Sequence, residues 1–155
     1  MTLVRRFLVV QALLLWQGGF LFYAAVVVPA GTAELGAFDQ GRVTRHVTDR
    51  MNAIGAVAVL ILAWDQFAAG RSWRRTRWGL WAVLAGGLIA LAAIHPQIEM
   101  HVQFADGGQF TDYRQFYFWH RVYLYVATVQ WVAGVAYVAV ALRVWTAPTT
   151  PVPSA

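Results

Sequence analysis

Four long runs of apolar residues constrain this chain more than any other feature. They cover residues 7–28, 51–69, 78–94 and 116–144. A helix needs about 20 predominantly apolar residues to cross the hydrocarbon core of a bilayer. The second and third runs are shorter than that, and a turn of more polar helix lengthens each. In a chain of 155 residues, 59% are hydrophobic and only 12% are charged. Soluble domains carry about 25% charged residues, and a soluble fold of this size cannot hide so much apolar surface. The pattern predicts an all-α integral membrane protein, a four-helix up-down-up-down bundle. It forms one domain over residues 1–146, followed by a disordered, uncharged, proline-rich tail at 147–155.

The first run, "FLVVQALLLWQGGFLFYAAVVV", follows Arg5 and Arg6 as a signal peptide would. Its apolar stretch exceeds the roughly 7–15 residues of a signal peptide, and no clean small-x-small cleavage site follows. A retained span is expected.

The connections sort by charge. One side carries seven arginines, Arg5, Arg6, Arg71, Arg74, Arg75, Arg77 and Arg143, against one acid, Asp65. The other side holds the connections 30–50 and 96–121. There five arginines meet six acids: Glu34, Asp39, Asp49, Glu99, Asp106 and Asp112. Basic loops stay in the cytoplasm, so both termini are expected there. This distribution accounts for the net charge of +5 through orientation and anionic lipid, and no nucleic-acid partner is expected. Tryptophans 64, 73, 78 and 81 flank the basic turn, and Tyr113, Tyr117, Trp119, Tyr123 and Tyr125 crowd the opposite boundary, as interfacial aromatics do.

With no cysteine in the chain, disulfides, iron–sulfur clusters and thiolate zinc sites within it are excluded. No serine–histidine–acid arrangement, glycine-rich phosphate loop or pair of catalytic carboxylates is present. No series of acids crosses the spans, which argues against an ion pump. Gln130 is expected to bond Gln11 or Gln17 across helices. Small residues permit close helix packing in lipid, and Gly79, Ala82, Gly86, Ala90 and Ala93 are expected to form the packing face of the third span.

All four histidines fall at the outer end. His46 precedes the second span, His95 closes the third, His101 lies in the outer connection and His120 opens the fourth. At 100° per residue His120 shares a face with Ala127, Trp131 and Gly134 and is expected to point inward. His95 projects opposite the small-residue stripe, on the side of Trp81, Leu84, Leu88 and Leu91. Pro96 is expected to redirect it, because the residue before proline leaves helical angles. Arg45 and Asp49 are expected to pair along one helix face. His95, His120, Glu99 and His46 are therefore the candidate site. Imidazole and carboxylate suit a divalent transition metal, and two axial histidines suit haem b.

The segments "FYAAVVVPAG", "IHPQIE" and "FYFWHRVYLYVATVQWVAG" resemble uncharacterised bacterial four-helix membrane families similar to the eukaryotic cisplatin-resistance-associated transmembrane protein. The resemblance implies a four-helix bundle and no settled activity; the bacterial cytoplasmic membrane is the expected location. Three functions follow as expectations. The first is a binding or accessory protein with the histidine–carboxylate site at the outer mouth. The second is a structural subunit of a larger respiratory or photosynthetic complex, contacting lipid and other membrane subunits and holding no cofactor of its own. The third is a small membrane enzyme using His120 with Glu99 or Asp49.

Overall fold

A computed structural model of the chain describes residues 2–68, 73–103 and 109–146. Four long helices dominate: α1 (Thr2–Leu35), α2 (Ala37–Ala68), α3 (Arg74–Glu99) and α4 (Tyr113–Thr146), each long and apolar enough to cross a membrane. Two short strands, β1 (Val102–Gln103) and β2 (Gln109–Phe110), pair antiparallel between α3 and α4, with Val102 opposite Phe110. The proposed tail at 147–155, Arg71 and Asp106 lie outside the described residues.

The connection between the first two spans is helical, contrary to the polar loop expected over residues 30–50. Only Gly36 interrupts the helices, at φ 83° and ψ 162°. Its N–H donates to the Thr32 carbonyl (3.1 Å), and its own carbonyl accepts from Gln40 N–H (3.1 Å). The charged residues of 37–50 therefore sit on helix faces. At about 1.5 Å per residue, the 32 residues of α2 reach about 48 Å, beyond a hydrocarbon core of about 30 Å. The polar first half of α2 thus forms one mouth of the bundle.

Helix α1 is not uniformly wound. Leu14–Gly18 and Tyr23–Val27 adopt π-helical turns, which rotate the following residues relative to a regular α-helix. Trp16 is buried in this region and rests on Gly55 of α2, where a Cβ would lie 2.6 Å from the indole Nε1. Val9, Leu13 and Trp16 of α1, Leu62 of α2, Leu84 of α3, and Tyr137 and Ala141 of α4 form the core. Outside, Leu60, Phe67, Ile89 and Val129 are exposed, an apolar exterior of the kind that faces lipid.

The packing face of α3 is the reverse of the one expected. Gly79, Ala82, Gly86 and Ala93 are exposed, whereas Arg77, Leu84, Leu91 and Ile94 are buried. A Cβ on Gly79 or Gly86 meets nothing within 4 Å; one on Gly87 meets Gln130 at 3.2 Å. The buried positions of α3 are large, Arg77, Leu84, Leu91 and Ile94, whereas those of α4 include the small Ala127, Ala133, Gly134 and Ala141. Gln130 correspondingly donates to the Leu84 carbonyl at 2.9 Å rather than to a glutamine of α1. The Trp81 indole turns inward and donates to the Val59 carbonyl at 3.0 Å.

One end of the bundle is closed by ions. Asp65 of α2 is fully buried; Arg77 of α3 lies 2.5 Å from its Oδ2 and Arg5 of α1 lies 2.9 Å from its Oδ1. The Tyr137 hydroxyl of α4 donates to Asp65 Oδ2 at 3.5 Å and accepts from Gln66 Nε2 at 3.3 Å. A single carboxylate thus joins all four helices. Nearby, the Arg6 guanidinium stands 5.5 Å from the Trp145 ring centre.

Candidate functional site

The opposite end carries the histidines. Asp112 caps α4, accepting from the N–H groups of Arg114 (2.9 Å) and Gln115 (3.0 Å) through Oδ1, as N-cap carboxylates do. The cap fixes where α4 begins and so sets His120 on the inner face, with Ala127 and Gly134 buried further along it. His120 stacks on Phe116, one turn earlier, with ring centres 5.7 Å apart and planes 13° from parallel.

His95 also faces inward. Helix α3 runs through Pro96 to Glu99, so no break redirects the histidine. Its regular helical position is already the inner one, because the Leu84–Leu91 side is the packed side. His95 Nδ1 lies 3.6 Å from Asp49 of α2, and Nε2 lies 3.7 Å from Glu99 on the next turn of α3. Arg45 does not pair with Asp49 as expected. It reaches across to Glu99, with Nε 2.5 Å from Oε1. Arg45 and Asp49 share a face of α2, but both find partners on α3.

These groups border a cavity of about 400 Å³. His95, Glu99, His120, Arg45, Tyr117 and Tyr123 line it, together with Phe38, Phe110 and Phe116. Phe110, presented by β2, sits 5.1 Å from Phe38, 5.3 Å from Tyr113 and 4.9 Å from Phe116, ring centre to ring centre. The short strand pair therefore covers one side of the cavity with an aromatic ring. A second cavity of about 220 Å³ lies deeper, bordered by Trp16, Phe20, Met51, Leu91 and Ala127 among others. Val28, Thr44, Thr48, His120 and Tyr123 border both.

The four candidate residues divide. His95, Glu99 and His120 share the larger cavity, whereas His46 is exposed on α2 and is not among the lining residues. Zinc asks for about four ligands. Among the described residues, no group of three or more histidines or acids is arranged to hold a metal ion. Glu99 is paired with Arg45.

Sequence reasoning passed over Tyr123, Thr44 and Thr48. Tyr123 follows His120 by three positions and belongs to the same face, which was the available signal. The tyrosine was read as part of an interfacial belt instead. Thr44 belongs to a clasp beside the cavity: the Tyr23 hydroxyl donates to Thr44 Oγ1 (3.0 Å), and the buried Gln40 amide donates to the Tyr23 oxygen (3.1 Å).

No family model, no curated protein and no solved structure matches this chain.

Proposed function

We propose that this chain is a multi-pass binding protein of the bacterial cytoplasmic membrane. Its spans run up-down-up-down with both termini in the cytoplasm, and its ligand site is the histidine cavity, open to the outer face. The orientation rests on the arginine-rich connections at the Asp65 end and on the positive-inside rule. The function rests on one observation: His95 and His120, from different helices, border one cavity of about 400 Å³, within the range of about 300–1,000 Å³ usual for small-molecule sites. A metal ion or haem b between the two imidazoles is the ligand that residue types alone suggest. The Arg45–Glu99 pair leaves an organic ligand as the better fit.

Single-cysteine labelling tests this reading, since the chain has no cysteine of its own. Thr48→Cys, on the cavity wall, reacts with a membrane-impermeant maleimide added to intact spheroplasts. Ile89→Cys, on the lipid-exposed face, does not. Labelling of Thr48→Cys only after the membrane is permeabilised contradicts the orientation; no labelling in either case contradicts the open cavity.

A second reading, a subunit of a larger membrane complex, is favoured by the exposed stripe of Gly79, Ala82, Gly86 and Ala93. Small residues on an outer face allow another helix to approach closely. Tryptophan at Gly86 would then break up an assembly recovered from native membranes while leaving the isolated chain folded.

A further inference from the structure

We infer that the two cavities form a single site for a neutral amphiphile: a flat ring bearing carbonyl or hydroxyl oxygens, quinone-like in chemistry, with a hydrocarbon tail. The inference rests on the reading of the histidine cavity as a ligand site and adds the class of ligand. The ring sits in the larger chamber and the tail in the deeper one.

The junction between the chambers carries the first argument. His120 and Tyr123 border both, and neither has a hydrogen-bond partner among the described residues. Both residues are only partly exposed, and their polar atoms remain accessible. Two such groups three residues apart on one helix face are suited to oxygens on a ligand that passes between the chambers.

The charges give the second argument. Arg45 is paired with Glu99, and His95 stands between Asp49 and Glu99. Arg45 and Glu99 are matched in charge, and His95 is within reach of both carboxylates. A charged head would lose its hydration without gaining an unpaired counter-charge from Arg45 or Glu99, which is costly away from water. The rings of Phe38, Phe110, Phe116 and Tyr117 offer instead the flat and edge surfaces against which another ring packs.

The way in is the third. Helix α1 packs chiefly on α2 and α3 chiefly on α4, whereas α1 and α4 approach each other at few points. Ala24 of α1 and Leu124 of α4 border the deeper chamber, and both are exposed. The tail's proposed path runs between these two helices, toward the region a lipid chain occupies.

Isothermal titration of the full chain in dodecyl maltoside tests this, with four probes: decylubiquinone, its tail-less benzoquinone head, decanol and zinc ion. Decylubiquinone is expected to bind one per chain, at least tenfold more tightly than either the head or decanol alone. Tyr123→Phe, which removes one hydroxyl and keeps the ring, weakens it several-fold; His120→Leu weakens it at least tenfold. Ala24→Phe fills the deeper chamber and abolishes the advantage of the tailed compound over the bare head. Decanol binding as tightly as decylubiquinone overturns the ring-headed ligand. Zinc binding without quinone binding overturns the ligand class and leaves the cavity as a ligand site. If no probe binds, both readings fall.

Discussion

Arg77 Nη2 lies 2.5 Å from Asp65 Oδ2, and the two side chains are 1% and 0% exposed. Two charges sealed inside a bundle need each other. Removing one partner of a buried pair costs about 3–5 kcal/mol, whereas replacing both by apolar groups of similar size is often neutral. Asp65→Leu is therefore expected to lower the Tm in detergent sharply, because it strands Arg77 in the interior. The double variant Asp65→Leu/Arg77→Leu is expected to recover most of the loss. Arg5, 13% exposed, can then turn its head toward solvent. A double variant no more stable than the single one would show that the pair is not an independent unit.

Gly87 and Gly86 make a paired test of the packing face of α3. A Cβ at Gly87 would stand 3.2 Å from Gln130, and one at Gly86 meets nothing within 4 Å. Gly87→Leu is expected to cost about 1–3 kcal/mol through overpacking, and Gly86→Leu to stay within about 0.5 kcal/mol. Thermal unfolding of the two variants side by side gives the ranking; equal losses would contradict the face assigned by the structure.

The four spans were legible because a run of apolar residues, unlike a site, needs no tertiary information. The geometry of the histidines was half legible. Helical periodicity set His95 on the side of Leu84 and Leu91, and that side is indeed where it lies. Small residues, however, do not mark the packed side of α3. In α3 the interior is filled by leucine, isoleucine and the aliphatic stem of Arg77, so the glycine stripe is left outside. Arg77 itself was read as an orientation signal. Its partner was visible as the one acid in an otherwise apolar second span, but an arginine in a basic turn has a sufficient explanation already. The spacing of Arg45 and Asp49 already marks a helix face before the apolar run, but the helix reaches back to Ala37, and the pairing of both residues with α3 rather than with each other is tertiary information. The π-helical turns of α1 left no sequence signal beyond the Gly18–Gly19 pair.

Trp16 and Gly55 fix how closely α1 and α2 approach. A methyl group at residue 55 would lie 2.6 Å from Trp16 Nε1 and 2.7 Å from Cε2, too close for any real contact. Gly55→Ala is expected to destabilise by about 1–3 kcal/mol, read as a lower Tm. Adding Trp16→Leu should restore part of it by removing the ring that clashes. Failure of the second change to compensate would mean that the helices are held apart by something other than this ring.

Gly36 carries the turn between α1 and α2 beside the cavity. Its φ of 83° and ψ of 162° fall in a region open essentially to glycine alone, and a side chain there costs of order 1–3 kcal/mol. Gly36→Ala should therefore lower stability although a Cβ would meet nothing within 4 Å. A variant as stable as the wild type would show that the turn relaxes to another conformation.

Native mass spectrometry of the full chain, released from nanodiscs cut directly out of its own membrane, tests the central claim most directly. If His95 and His120 hold a ligand in the cavity they share, the wild-type chain is expected to carry one added mass per chain. The His95→Leu/His120→Leu variant, prepared the same way and still folded by circular dichroism, is expected to appear without it. A wild-type chain recovered bare, or the same added mass undiminished in the double variant, would contradict the account.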